Sequence, residues 1–301
     1  MALLAVGSVA FDSIRTPHGQ VDDIVGGSAT YFSVTASCFT PVRIVAVIGE
    51  DFGKEQLRVF AGRAIDTAGL EQVAGKTFRW RGQYAGDMNE AQTLETQLNV
   101  FERFAPKIPA GYLDSEFVFL GNIDPVLQLH VREQLPKARL VACDSMNFWI
   151  KGRLPELKRT LAQVDALIIN EGEARLLSGQ QNLKRAVTEI QKLGPRIVVI
   201  KRGEYGVVLF TDSGIFAAPG YPLEEVRDPT GAGDTFAGGF MGCLAQRGDL
   251  SEANLRRAVV YGSVMASFAV EDFGLTSLLR LAHAEIECRF HEFKNLTHFD
   301  A

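Results

Sequence analysis

Short apolar runs, interrupted only by Arg43, punctuate the chain at Leu3–Val6, Val42–Ile48, Phe117–Leu120, Leu140–Cys143, Ala166–Ile169 and Ile197–Ile200. Runs of this length without polar alternation suit strands covered on both faces. Between most of them apolar residues return at helical spacing, in Ser28–Ser37, Lys54–Ala61, Val126–Leu135, Leu157–Ala162 and Leu183–Leu193. The alternation predicts an α/β fold, a mainly parallel sheet flanked by helices on both sides.

Two stretches break the rhythm. Residues 77–104 mix aromatic, polar and β-branched residues around Gly86-Asp87-Met88-Asn89, a pattern of antiparallel ribbon rather than crossover helix. Residues 11–25 are short apolar pieces broken by Asp, Pro and Gly. Together they predict a small β-lid at one edge of the main sheet, with a plain surface hairpin as the simpler alternative. Tyr205–Phe210 and Gly214–Ala218 read as a hairpin, and Gly231–Ala245 and Glu252–Ala269 as helices rich in small residues that permit close packing. With no internal repeat and no linker rich in Pro, Gly or Ser, residues 1–301 read as one domain carrying the lid.

Composition narrows the function classes. The chain has 31 basic and 36 acidic residues, a net charge of −5, which argues against a nucleic-acid surface. No apolar run approaches the roughly 18 to 20 residues of a membrane span, and Met1–Val9 lacks the basic start of a signal peptide, so a cytoplasmic protein is expected. Cys38, Cys143, Cys243 and Cys288 are far apart, and the five histidines have no metal-site spacing.

The stretch richest in chemistry is Val226-Arg-Asp-Pro-Thr-Gly-Ala-Gly-Asp-Thr-Phe-Ala-Gly-Gly239. A Pro-Thr-Gly-Ala-Gly turn entering a helix leaves the first amides unpaired and the backbone open to a ligand, and the helix dipole adds positive potential there. Such an end attracts phosphate. Asp234 stands where that anion would arrive, and a carboxylate in that position is either a cap for the helix or a base that takes a proton from an attacking hydroxyl. The chain has no G-x-x-x-x-G-K-[ST] loop and no G-x-G-x-x-G after its first strand.

This stretch resembles the C-terminal signature of the ribokinase-like PfkB carbohydrate kinase family. The resemblance implies a doubly wound ribokinase-like α/β fold with a β-lid and transfer of the γ-phosphoryl group of ATP to an alcohol. Asp234 would be the base, and Gly231, Ala232 and Gly233 would supply the amides of an anion hole. Asn170-Glu-Gly-Glu173 is similar to the family's N-x-x-E motif, which implies Mg²⁺ held through water near Glu173; the same spacing also makes a helix capping box. Lys201-Arg202-Gly203, with Gly206, resembles the strand-end turn beside the nucleotide, often written Thr-Leu-Gly. Here two cations replace Thr and Leu, and they either reach phosphates or solvate a loop. Thr230 and Gly274 fall on the nucleotide side by the same resemblance, and Asp228 on a potassium site.

In the N-terminal half, Asp12 after the first strand resembles the acid that binds substrate hydroxyls, against the alternative of a turn aspartate. Gly26 and Gly27 resemble the glycine pair against which substrate rests, and the resemblance implies Asn122 and Asp144 as further substrate contacts. Tyr31 stands where sugar kinases of the group commonly place Asn, and the Asp144-x-x-Asn147 segment lacks the family's closing Arg. Phe148 and Trp149 either stack on a ring or pack under the lid. The expected substrate is a small sugar or sugar derivative, with a nucleoside kinase of the same fold as the alternative; a non-catalytic sugar or nucleotide sensor is the reading from another class. A homodimer through the lid is expected because ribbon lids expose strand edges.

Overall fold

The computed structural model describes residues 2–86, 88, 89 and 91–298. In chain order its first half holds β1 (Leu3–Val6), β2 (Ala10–Thr16), β3 (Gly19–Gly26), α1 (Ser28–Ala36), β4 (Val42–Ile48), α2 (Lys54–Leu57), β5 (Ile65–Gln72), β6 (Phe78–Tyr84) and β7 (Ala91–Gln97). Then come β8 (Phe117–Leu120), α3 (Pro125–Gln134), β9 (Leu140–Cys143), α4 (Asn147–Gly152), α5 (Leu154–Leu161), β10 (Ala166–Asn170), α6 (Glu171–Ser178), α7 (Leu183–Gln191) and β11 (Ile197–Lys201). The chain continues through β12 (Val207–Thr211), β13 (Gly214–Ala218), α8 (Ala232–Arg247), α9 (Glu252–Ala269), α10 (Thr276–Arg280) and α11 (His283–Thr297).

The main sheet runs β13-β12-β11-β10-β9-β8-β1-β4-β5, parallel from β11 to β5, with β12 antiparallel to both its neighbours. Alternation along each strand divides the core in two. Leu3 and Ala5 of β1, Phe117 and Phe119 of β8, and Ala166 and Ile168 of β10 face the layer of α1, α8 and α9. Their neighbours Leu4, Val6, Val118, Leu120, Leu167 and Ile169 face the layer that includes α3, α5, α6 and α7. Each run reads as continuously apolar because both of its faces are covered.

The second sheet, ordered β3-β2-β6-β7, is the lid. Its two hairpins are antiparallel, but β2 and β6 join them in parallel. Ribbon expected as far as Phe104 ends at Gln97, and a 3-10 turn over Asn99–Arg103 follows. There Phe101 stacks between Phe78 and Phe104, which pulls the chain back onto the core. In the predicted turn Gly86–Asn89, Asp87 lies outside the described residues, as do Met1 and residues 299–301 of the predicted domain.

The helix predicted over Lys54–Ala61 is helical only to Leu57; bonds from Val59, Phe60 and Ala61 to the third residue back continue it as tight turns toward Gly62. Sequence reading passed over β5, whose half-buried alternation contains no apolar run, and α11, in which Ile286 and Phe293 are the buried residues.

Helix α8 determines where the site lies. It is buried along most of its length between α1 and α9, and its glycines make that possible. A methyl group on Gly238 would lie 2.6 Å from Phe32 O of α1, and one on Gly239 would lie 2.8 Å from Tyr261 O of α9. The backbones therefore touch where other helices interpose side chains. The variant Gly238→Ala is expected to lose about 1 to 3 kcal/mol of unfolding free energy through overpacking, although alanine favours a helix interior by about 1 kcal/mol over glycine. The control Gly152→Ala, whose added methyl meets nothing within 4 Å, should be neutral or stabilising in the same denaturant titration. Equal stability of the two variants would refute the close-packing account.

Candidate active site

The carboxyl ends of β8 to β11, the first turn of α8 and the lid converge on one region. Gly231 caps α8 with φ of 74°, a left-handed turn that glycine enters without strain. The ring of Tyr31 lies flat beneath it, so that a methyl group on Gly231 would come within 2.5 Å of three ring atoms. Among the described residues, the amides of Gly231 and Gly233 meet no protein acceptor, and no side chain caps the helix. Ala232 departs from its predicted role: its N–H donates to Pro229 O at 3.1 Å and closes the turn. The anion pocket therefore rests on the two glycine amides.

Asp234 is in the first turn of α8, with its Oδ1 sealed from solvent and lacking a hydrogen-bond partner. Burial lifts its carboxyl from 3.8 to about 7; the Asp144 charge adds to the rise, Lys201 opposes it and Asp12 adds a little more. The acid has no bond of the kind a helix cap makes, which removes the capping alternative.

Asp228 does the tying instead. It is fully buried, with Oδ1 accepting from Thr230 N and Oδ2 from Gly274 N, both at 2.9 Å, so two residues of the predicted nucleotide side are held by one carboxylate. The lid reaches the same loop. Thr230 Oγ1 and Tyr84 Oη are 3.2 Å apart, and Ile24 fills the space above Gly274.

Asp12, on β2 of the lid sheet, lies against Gly26: a methyl group there would overlap its carboxylate at 1.9 Å. Burial raises Asp12 to about 7, a hydrogen bond from the Gly27 amide lowers it, and Asp228 raises it. Asp12 and Asp234 are close enough for the charge of one to act on the other. Asp144 follows β9; its Oδ1 accepts from Ser145 N at 2.7 Å and its Oδ2 is 3.3 Å from Lys201 Nζ. Burial pushes its carboxyl up despite that lysine.

Asn170 and Glu173 form the capping box at the start of α6. Asn170 Oδ1 accepts from Glu173 N and Glu173 Oε2 from Asn170 N, both at 2.8 Å. Glu173 is also close enough to act electrostatically on Lys201. The two predicted cations part ways. Arg202 is bound by Glu171 at 2.7 Å, while Lys201 turns inward. Gly203 and Gly206 make the tight turn after β11, and Asn89 at the lid tip sits against Gly203. Asn122 is taken up by the indole N–H of Trp149, which its Oδ1 accepts at 2.9 Å; Phe148, edge-on to Trp149, is 63% exposed.

Sequence reading thus placed Asp12, Gly26, Asp144, Asn170, Glu173, Lys201, Thr230 and Asp234 around one space. It did not find Tyr84, whose contact depends on the docking of the lid, nor the support that Tyr31 gives Gly231. Tyr31 and Gly231 are far apart along the chain, in α1 and at the start of α8, so spacing alone gives no sign of their contact.

Comparisons with known proteins bear on the family and the fold. The family model described as pfkB family carbohydrate kinase matches residues 3–280. A cytidine kinase of Thermococcus kodakarensis is 30% identical over 257 residues, which span 83% of this chain and 91% of the relative. Among solved structures, a Burkholderia thailandensis nucleoside kinase in complex with ADP-inosine superposes with a TM-score of 0.80 at 19% identity, over 97% of this chain and 96% of that one. A structure designated ribokinase II from E. coli, in complex with ATP and Mg²⁺, gives 0.78 at 20% identity, over 96% and 99%.

A carboxyl whose folded value is raised stabilises the fold while it is protonated and loses that contribution as pH rises through the folded value. For Asp234 the window runs from 3.8 to about 7. Asp234→Asn removes the buried charge, so its melting temperature is expected to exceed that of the unaltered chain at pH 8, with the gap shrinking by pH 5. A gap independent of pH would refute the assignment of burial as the cause.

Proposed function

The chain belongs to the pfkB family of carbohydrate kinases, and on that footing we propose that it transfers the γ-phosphoryl group of ATP to a hydroxyl of a neutral, ribose-bearing acceptor, a nucleoside ahead of a free sugar. The observation that carries the reading is the sealed, partnerless Oδ1 of Asp234 beside the bare amides of Gly231 and Gly233. A carboxyl held near 7 in that position is matched to taking a proton from an alcohol as the alcohol attacks phosphorus. The amides would donate to the phosphoryl oxygens on which charge builds. Asp12 would accept acceptor hydroxyls against Gly26 and Gly27. Asn170, Glu173, Lys201, Gly203, Gly206, Thr230 and Gly274 would line the nucleotide.

Among the described residues no cluster of three or more His, Cys, Asp or Glu side chains forms a metal cage. The oxygen donors of Asn170 and Glu173 fit Mg²⁺, which is commonly held by one or two carboxylates, waters and substrate phosphates. Bound there, the ion would neutralise phosphate charge. A potassium ion would sit by the loop that Asp228 ties, and exchanging K⁺ for Na⁺ in the assay tests it.

Charge supports a neutral acceptor. Of the predicted cations, Lys201 pairs with Asp144 and Arg202 with Glu171, and on the lid Arg79 pairs with Asp51 and Asp23. A sugar phosphate or sugar acid would meet Asp12, Asp144 and Asp234, on which, among the described residues, no arginine charge acts. The names of the cytidine kinase relative and the nucleoside kinase neighbour support a nucleoside. A homodimer would form through the lid, where every residue of β7 is exposed and Leu94 and Leu98 stand out from the surface.

With MgATP, a panel of cytidine, adenosine, inosine, ribose, fructose, inositol and fructose 6-phosphate is expected to give turnover with nucleosides first and none with the phosphate ester. Preference for the ester would overturn the charge argument. The variant Asp234→Asn should lose roughly 10² to 10⁴ in kcat while still binding nucleotide; near-normal turnover would remove Asp234 as the base and favour the sensor reading. Because Asp234 must be ionised to accept the proton, kcat/KM is expected to fall about tenfold per pH unit below about 7. A flat profile from pH 5 to 8 would contradict it.

A further inference from the structure

Strand β11 ends in a lysine that turns into the site. Lys201 pairs in register with Asn170 of β10, and its side chain, 17% exposed, runs inward rather than to solvent. Its Nζ is 3.3 Å from Asp144 Oδ2, and a methyl group on Gly233 would lie 2.7 Å from the same nitrogen. These two distances set the ammonium between the end of β9 and the first turn of α8, on the side of Gly233 where a side chain would project. Burial pulls its pKa down, yet the charges of Asp144, Glu173 and Asp234 outweigh burial and keep it protonated. One cation thus answers three carboxylates. A buried pair of this kind adds little net stability over an apolar substitute, because desolvation offsets the attraction. At 3.3 Å the pair with Asp144 is also longer than the 2.7 to 2.9 Å of a tight charge-assisted bond. The ammonium is loosely held next to the pocket where anionic charge would arrive, and its flexible four-carbon stem allows it to change partners.

We infer that Lys201 is a catalytic residue whose ammonium shifts from Asp144 onto the non-bridging oxygens of the phosphoryl group in transit, adding a movable cation to the fixed amides of Gly231 and Gly233. The inference rests on the phosphotransfer reading of the site. As the acceptor oxygen bonds to phosphorus, the bond from phosphorus to the bridging oxygen of the donor breaks and the leaving diphosphate keeps that electron pair. The hydroxyl proton passes to Asp234. Lys201 stays protonated throughout and exchanges only its ion-pair partner. Its role is distinct from that of Arg202, which Glu171 and the start of α6 keep away from the pocket.

The test compares the unaltered chain with Lys201→Met and Lys201→Arg, in turnover and in binding. Lys201→Met is expected to lower kcat by roughly 10² to 10³, the usual loss for removing one donor to transition-state charge, while MgADP affinity and acceptor KM stay within about threefold. Lys201→Arg should recover part of the loss. A readout apart from turnover is the rise in melting temperature when aluminium fluoride joins MgADP and acceptor, which mimics the planar phosphoryl group; this increment should be present in the unaltered chain and absent from Lys201→Met. If Lys201→Met fails to fold because Asp144 is left unpaired, the double variant Lys201→Met, Asp144→Asn restores the charge balance and must show the same missing increment. A full fluoride increment in the Met variant, a kcat within threefold of normal, or MgADP affinity falling by the same factor as kcat would each overturn the inference. An unaltered chain that transfers no phosphoryl group and gains nothing from fluoride would overturn the proposed function along with it, whereas transfer that survives in Lys201→Met would overturn the lysine's role alone.

Discussion

A helix can keep bare amides at a buried end only if something other than a capping side chain holds that end in place. In this chain the support comes from below and from the side. The Tyr31 ring carries the Gly231 turn, and Asp228 ties Thr230 to Gly274 through two backbone amides. The small residues of α8 then let it slot between α1 and α9 so that its first turn opens at the carboxyl ends of the parallel strands. Open α/β sheets place their ligands at that end because the strand-to-helix loops gather there. The anion pocket is thus a consequence of how closely three helices pack.

Charge is the second half of the arrangement. Asp12, Asp144 and Asp234 share one space with Lys201, and burial raises all three carboxyls above their ordinary value. Burying so many acids opposes stability, which is reasonable only where their protonation serves a purpose. The same crowding selects ligands. On the proposed reading Asp12 would turn an anionic acceptor away on the lid side, while the glycine amides and the lysine would attract anionic charge at the start of α8.

The two ends belong to different sheets. Asp12 and Gly26 come from the lid, and Asp234 with its glycine amides from the main body, so the distance between them depends on how the lid docks. Tyr84 against Thr230, Ile24 against Gly274 and Asn89 against Gly203 are the contacts that hold it there. They attach the lid to the loops that also form the phosphate end, which couples lid position to both halves of the site.

Much of this was legible before any coordinates. Apolar runs identified the inner strands nearly to the residue because a strand covered on both faces has no polar alternation to blur it, and the Gly-Ala-Gly-Asp turn announced an uncapped helix end by its composition. Edge strand β5 and the outer helix α11 were not legible, since a half-exposed element carries too few apolar positions to set a period. Spacing could not separate a base from a cap at Asp234, or a phosphate ligand from a solvated loop at Lys201 and Arg202. Those choices depend on which neighbours arrive from distant parts of the chain. The sequence by itself determined the layers, the strand order's parallel character and the chemistry available at each loop. Only the tertiary structure decided that Asp234 lacks a partner, that Arg202 is held by Glu171 and that Lys201 faces inward, because burial and hydrogen-bond satisfaction are properties of packed surfaces and have no local signature along the chain.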